Sequence, residues 1–284
     1  MSVRVAKSAG FCFGVSRAVE LVQSSAAAGK HTVTLGPIIH NRHVVEAFHQ
    51  AGVGVIDSPE EANPGDTVII RSHGVGREVY ARLEARGAEI VDATCPFVKR
   101  IHGLVSRAEE EGRLPIIIGT PTHPEVEGVA GWCTACKIFD SADSLKKWVT
   151  EERIAADLPI CMVCQTTSTE NLWKLCRNFA KKQFTNLKIF DTICKATEDR
   201  QTEAALLSRR SQAMVVVGDA KSSNTGRLAM ICREYCDRVA LVDDASELEP
   251  AFFAGITDVG ITAGASTPAW IIKEVNKTMS EITN

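Results

Sequence analysis

Ala88-Glu89-Ile90-Val91-Asp92-Ala93-Thr94-Cys95 and Leu187-Lys188-Ile189-Phe190-Asp191-Thr192-Ile193-Cys194 are two copies of one design, a short apolar run that empties into a cysteine. Each reads as a short buried strand, and a helical pattern follows each cysteine. A third copy stands at the N-terminus, where the candidate strand Val3 to Ala6 leads through Ser8, Ala9 and Gly10 to Cys12. Working outward, each helical stretch is followed by an apolar strand that ends in a polar loop. Val33-Thr34-Leu35 runs into His40-Asn41, Ile116-Ile117-Ile118 into Thr122-His123-Pro124-Glu125, and Val215-Val216-Val217 into Ser222-Ser223-Asn224. A further strand then ends in a related turn in every third: Val55-Ile56-Asp57-Ser58, Ile138-Phe139-Asp140-Ser141 and Leu241-Val242-Asp243-Asp244. One more strand and a second polar loop complete the unit: Val68-Ile69-Ile70 into Ser72-His73-Gly74, Ile160 to Val163 into Gln165-Thr166-Thr167, and Gly260-Ile261-Thr262 into Gly264-Ala265-Ser266.

A pattern repeated three times is an architecture, and strands alternating with helices specify parallel sheets with crossover helices. The expected fold class is α/β, three pseudo-symmetric αβα lobes with small parallel sheets arranged as a trefoil. The expected lobes are residues 12–95, 96–193 and 194–284. The last third lacks a closing cysteine strand, and the first has a surplus one, so the N-terminal strand within residues 1–11 should complete the third sheet. In such sheets ligands collect outside the carboxyl ends of the strands, where every cysteine and polar loop named above falls.

Composition narrows the function classes. With 284 residues and 45% hydrophobic content the chain can bury a sizeable core. A net charge of -3 gives no sign of a surface built to neutralise a nucleic-acid backbone or coat an anionic membrane, but leaves room for a small anionic substrate. No run approaches the roughly 18 apolar residues of a membrane span, and the N-terminus does not read as a cleavable leader, so the expected location is the cytoplasm. There the ten cysteines stay reduced and point to metal binding or catalysis.

Cys12, Cys95 and Cys194, one per repeat, suit an iron-sulfur cluster in which three thiolates hold three irons and leave the fourth open as a Lewis acid. A competing reading pairs Cys133-x-x-Cys136 with Cys161-x-x-Cys164 as a zinc site. Cys161 and Cys164 lie in a strand-like run, however, where residues three apart point to opposite faces. Cys176, Cys232 and Cys236 read as small buried residues on helical faces.

The polar loops read as an anion and proton site. His40, His73 and His123 share strand-end positions, unlike His31, His43, His49 and His102, and an imidazole can donate to an anion or relay a proton. The third repeat offers Ser222, Ser223, Asn224 and Ser266, with Pro268 at an expected first helical position. Helix N-termini favour phosphate, although simple capping would account for any one such loop. Glu125 is the carboxylate nearest these loops and can serve as a proton donor, while Glu127 should point away from it. Thr166 and Thr167 can hydrogen-bond a hydroxyl or relay protons.

Taken together, Gly10-Phe11-Cys12-Phe13-Gly14-Val15, Ile39-His40-Asn41, Arg71-Ser72-His73-Gly74, Asp92-Ala93-Thr94-Cys95-Pro96, His123-Pro124-Glu125-Val126, Gln165-Thr166-Thr167, Cys194-Lys195-Ala196-Thr197, Lys221-Ser222-Ser223-Asn224-Thr225 and Ala263-Gly264-Ala265-Ser266 closely resemble the LytB/IspH family of isoprenoid biosynthesis, nearly end to end. The resemblance implies a 4Fe-4S cluster on Cys12, Cys95 and Cys194 with one iron open to the substrate hydroxyl. It also implies an oxidoreductase activity: the reductive dehydroxylation of 4-hydroxy-3-methylbut-2-enyl diphosphate to isopentenyl and dimethylallyl diphosphate, the last step of the non-mevalonate pathway. By the same resemblance Glu125, Thr166 and His123 are catalytic. His40, His73, His123, Ser222, Ser223, Asn224 and Ser266 hold the diphosphate, and Thr166 and Thr167 lie near the hydroxyl. Family members take electrons from ferredoxin or flavodoxin, and a monomer or homodimer is expected. The extra cysteines and the charged Lys195, Glu198 and Asp199 depart from the family pattern and bear on redox tuning.

Two other classes compete. A carbon-oxygen lyase resembling quinolinate synthase also places three cysteines around one cluster, but many neutral donors and histidines match a diphosphate better. A non-enzymatic redox sensor would need an output module, and no linker or basic segment supplies one.

Overall fold

Strands buried on both faces read as continuous apolar runs, and strands at a sheet edge do not. That distinction organises the computed structural model, which describes residues 2–282. In chain order the elements are β1 (Ser2–Val5), α1 (Phe13–Ala27), β2 (Thr32–Leu35), α2 (Arg42–Gln50), β3 (Gly54–Ile56), β4 (Thr67–Ile70), α3 (Arg77–Ala85), β5 (Glu89–Asp92), α4 (Pro96–Glu110), β6 (Leu114–Ile118), α5 (Pro124–Ala130), β7 (Lys137–Phe139), α6 (Ala142–Glu151), β8 (Ile160–Cys164), α7 (Glu170–Gln183), β9 (Leu187–Ile189), α8 (Lys195–Ser208), β10 (Ala213–Val217), α9 (Ser223–Tyr235), β11 (Val239–Val242), β12 (Asp258–Ala263) and α10 (Ala269–Ile282). Short 3-10 turns punctuate the first and last repeats.

Among the described residues these strands form three four-stranded sheets, with orders β3-β2-β4-β5, β7-β6-β8-β9 and β11-β10-β12-β1. Every pairing is parallel, and the three orders are one topology in which β1 stands where β5 and β9 stand in the others. The N-terminal strand thus joins the C-terminal sheet, with Val3 opposite Val259 and Val5 opposite Ile261.

The central pairs, β2 with β4, β6 with β8 and β10 with β12, are buried almost throughout. In β8, Ile160, Met162 and Cys164 face a core with Leu145 and Trp148 of α6 and Trp173 and Cys176 of α7. Cys161 and Val163 face the opposite core, with Val98, Ile101 and Val105 of α4 and Val126 and Val129 of α5. This two-residue alternation separates the sulfurs of Cys161 and Cys164 across the sheet and removes the paired C-x-x-C zinc site. The same alternation divides β10: Val215 and Val217 pack with α10, Met214 and Val216 with α8 and α9.

The cysteine-bearing runs depart from the expectation of buried strands. β1, β5 and β9 are edge strands, half-buried or exposed along their length, because each has a neighbour on one side only. Cys176 and Cys232 lie buried within α7 and α9, but Cys236 sits one residue past α9 as its C-cap.

Contacts divide the chain into two compact units. One comprises the N-terminal segment to Ser16, Ile39–Ala47 and the chain from Lys195 onward, and so holds the β11-β10-β12-β1 sheet. The other comprises Arg17–Ile38 and Phe48–Cys194, with the remaining two sheets. Among the described residues no helix is long and apolar enough to cross a membrane.

Candidate active site

Each of the three cysteines follows the edge strand of its sheet and immediately precedes a helix. In each, the backbone N–H donates to the carbonyl of the residue two places beyond the end of a central strand: Cys12 to Ala265 (3.2 Å) after β12, Cys95 to Ser72 (3.0 Å) after β4, and Cys194 to Thr166 (3.0 Å) after β8. The repeat seen in the sequence is therefore a repeat of backbone hydrogen bonds as well. All three cysteines are half-buried, and each lies at the N-terminus of a helix (α1, α4 or α8), where unpaired N–H groups favour negative charge. Three soft thiolate donors in equivalent surroundings are the donor set an iron-sulfur cluster requires.

In the first unit, the loop before Cys12 is clamped by α8. Arg200, only 5% exposed, donates from Nη2 to the Gly10 carbonyl at 2.7 Å. The Glu203 carboxylate accepts the backbone N–H groups of Lys7 and Ser8, both at 2.8 Å. Gly10 has φ +112°, a left-handed conformation that side chains rarely adopt. Sequence reading missed Arg200 and Glu203, which stand among other charged residues of α8 with nothing local to mark them.

Residues of the first unit also line the loops after β10 and β12. Ser222 caps α9, its Oγ accepting from the Thr225 N–H, and Ser266 Oγ lies 3.5 Å from Ser222 Oγ. Asn224 is 4% exposed, and its Nδ2 donor has no acceptor among the described residues. A buried amide without a partner costs stability unless a ligand accepts from it. Ser223 is half-buried beside it. His40 is half-buried, and its neighbour Asn41 caps α2 by accepting the Val44 N–H on Oδ1 (3.1 Å). Pro268 immediately precedes α10, one residue earlier than expected, and its carbonyl accepts the Ile272 N–H.

The second unit gathers Glu125, Thr166, His123 and His73. Glu125, 2% exposed, accepts the Thr166 backbone N–H on Oε1 (2.6 Å) and the Thr166 hydroxyl on Oε2 (2.7 Å). The Thr166 carbonyl meanwhile holds the Cys194 amide, so one residue fixes both the carboxylate and a cysteine loop. His123 caps α5, with Nδ1 accepting the Glu125 N–H at 3.1 Å, which leaves the proton of the neutral ring on Nε2. The rings of His73 and His123 meet edge to face at 5.5 Å. Glu127 is exposed, as expected of the residue pointing away, and Thr167 accepts from Gln165 Nε2 at 3.0 Å.

Behind Cys95, the Asp92 carboxylate accepts the Thr94 N–H (2.9 Å) and the Tyr80 hydroxyl (3.1 Å) and pairs with Lys99 (2.6 Å). Burial pushes the Asp92 carboxyl up, but the bonds from Lys99 and Thr94 outweigh it and hold it below the usual range. Burial and the Asp92 charge push the Tyr80 phenol up to about 12. His102, expected to lie apart from the strand-end histidines, is buried within α4 and stacks on Trp132, and burial lowers its pKa to about 4.

These features define an α/β protein of threefold internal repeat that presents one cysteine at the same place in each repeat. The chain belongs to the LytB protein family, whose model matches residues 3–280, and this family is iron-sulfur dependent. It is 38% identical over 283 residues to the 4-hydroxy-3-methylbut-2-enyl diphosphate reductase of a Nitratiruptor species, with 99% of each chain covered. The enzyme of the same name from Pelobacter propionicus is 41% identical over 285 residues, again with 99% of each chain covered. A solved structure of (E)-4-hydroxy-3-methyl-but-2-enyl diphosphate reductase, the terminal enzyme of the non-mevalonate pathway, is similar at 37% identity and TM-score 0.71, covering 99% of this chain and 100% of that one. The E-1-hydroxy-2-methyl-but-2-enyl-4-diphosphate reductase from Plasmodium falciparum is similar at 25% identity and TM-score 0.92, covering 99% and 88%.

Proposed function

We propose that this chain reductively removes the hydroxyl group of 4-hydroxy-3-methylbut-2-enyl diphosphate, giving isopentenyl and dimethylallyl diphosphate. The observation that carries the reading is the matched set of Cys12, Cys95 and Cys194 amide bonds, of which the Cys194 bond is accepted by Thr166, the residue that also binds the buried Glu125 carboxylate. Cys12, Cys95 and Cys194 would hold one 4Fe-4S cluster, which would pass electrons from the external donor and offer Lewis acidity at the carbon-oxygen bond. The reaction consumes two electrons and two protons and releases the hydroxyl oxygen as water.

Glu125 supplies the proton to the departing oxygen, and Thr166 orients the carboxyl by its two hydrogen bonds and relays the proton. Thr167 stands beside it for the hydroxyl. His123, fixed in one tautomer by the Glu125 amide, donates from Nε2 and carries protons inward. His40, His73, His123, Ser222, Ser223, Asn224 and Ser266 hold the diphosphate, and the unpartnered Asn224 Nδ2 supports that assignment. Residues 12–95, 96–193 and 194–284, the last completed by 1–11, are the repeating lobes. Ferredoxin or flavodoxin is the electron donor to a monomer or homodimer, and a chain with ten cysteines suits a reducing cytoplasm.

Anaerobic turnover of reconstituted protein with the diphosphate substrate and reduced viologen tests the proposal. Viologen oxidation with both five-carbon products, abolished by replacing any one of the three cysteines, is the expected result. An intact cluster with no turnover would overturn it in favour of a lyase or a sensor.

A further inference from the structure

Of the seven cysteines outside the proposed cluster set, five are buried: Cys161, Cys164, Cys176, Cys232 and Cys236. Cys133 and Cys136 alone are half-buried; both pack against the core cluster of Val98, Ile101 and Val129, their side chains interact with each other, and Cys133 Sγ donates to the Ala130 carbonyl at 3.5 Å. They lie on the short connection from α5 to β7, and that connection is held on several sides. The Gly131 carbonyl accepts the Arg77 N–H at 3.1 Å. The Trp132 indole donates to the Val75 carbonyl at 2.9 Å while its ring stacks on His102, 5.0 Å between centroids. The Thr134 N–H donates to the Glu109 carboxylate.

This anchoring fixes the short stretch that carries both cysteines, so little entropy is lost when the two sulfurs close on each other. Access is also present: Cys133 lines an open cavity of about 620 Å³ with Arg77, Glu109 and Trp132. A structural metal needs three or four ligands, and among the described residues no third histidine, cysteine or carboxylate oxygen lies within reach of these two sulfurs. Cys161 and Cys164, at the same spacing, are separated across a sheet and offer no such contact.

We propose that Cys133 and Cys136 are a reversible dithiol–disulfide pair, a two-electron redox site apart from the residues proposed for catalysis, whose oxidant is a low-molecular-weight disulfide of the glutathione class. One sulfur of the pair, as thiolate, attacks the small disulfide and expels half of it as a thiol. The second cysteine then attacks the mixed disulfide and releases the other half. The pair loses two electrons and two protons, and the small disulfide gains them as two thiols. Cys136 is the attacking sulfur, since its neighbour Cys133 lowers its pKa while Cys133 keeps its own proton and resolves the mixed disulfide.

The test uses the cluster-loaded protein under argon in glutathione buffers of increasing oxidised fraction, quenched with acid, alkylated with N-ethylmaleimide after denaturation, and digested with trypsin. The peptide from Leu114 to Lys137 carries these two cysteines and no others. It should pass in one transition from doubly alkylated to unalkylated and lighter by two hydrogens, while Cys161 and Cys164 stay fully alkylated. The Cys133→Ser variant should instead accumulate glutathione on Cys136. A peptide that stays doubly alkylated in the most oxidising buffer, or one that gains glutathione in the wild-type protein without closing, would overturn the proposal.

Discussion

Replacing Glu125 separates its proposed chemistry from its structural part. The carboxylate is 2% exposed and accepts two hydrogen bonds from Thr166, at 2.6 Å and 2.7 Å. In Glu125→Ala a buried N–H and a buried hydroxyl lose their acceptor and a small cavity opens; hydrogen bonds to charged groups contribute roughly 1.5–3 kcal/mol each, so a loss of about 3–5 kcal/mol is expected. In Glu125→Gln the amide oxygen still accepts the Thr166 N–H, and the amide nitrogen can donate to the hydroxyl once that group turns. The cost should then be about 1 kcal/mol. The amide has no proton to give at the departing oxygen, and loss of a general acid lowers turnover by about 10²–10⁴-fold. Anaerobic viologen oxidation on protein matched for cluster content reads the activity, and urea unfolding reads the stability. Wild-type turnover by Glu125→Gln with its cluster intact would refute the proton-donor role. An Ala variant as stable as wild type would refute the reasoning about the buried pair.

Three further outcomes are expected. His102, 3% exposed, has its pKa lowered by burial from 6.5 to about 4, so the unfolded chain binds its proton first. Stability is complete above about pH 6.5 and should fall by roughly 3 kcal/mol as pH drops toward 4, then level off; His102→Gln should flatten this window in urea midpoints, and identical slopes would refute the assignment. Arg200→Met removes the donor to the Gly10 carbonyl, so the Cys12 loop should loosen, iron and sulfide content after reconstitution should drop, and the unfolding midpoint should fall by about 1–3 kcal/mol in free energy. Gly131→Ala would place a Cβ 2.5 Å from Gly76 Cα and should cost about 1–3 kcal/mol, whereas Gly226→Ala in α9, with nothing within 4 Å, should gain about 0.5–1 kcal/mol, both read by thermal unfolding.

Much of the fold was legible because burial on both faces of a sheet leaves an uninterrupted apolar run. Val33-Thr34-Leu35, Ile116-Ile117-Ile118 and Val215-Val216-Val217 all mark central strands. The two-residue period of a strand by itself places Cys161 and Cys164 on opposite faces, where the structure has them. Edge position was not legible at Glu89–Asp92 or Leu187–Ile189, since Ile, Val and Leu occupy edge and centre alike and only the pairing partners differ. Cys236 read as helical because the cap that ends α9 depends on where the chain must turn into β11.

By itself, then, the sequence determined the threefold repeat, the α/β class, the cysteine of each repeat and the N-terminal strand that closes the last sheet, because all of these follow from order and periodicity along the chain. Tertiary structure alone decided that Glu125 meets Thr166 across 41 residues and that Arg200 holds Gly10 across 190. Partners so distant are chosen by how packed sheets bring loops together, and no local pattern encodes that choice.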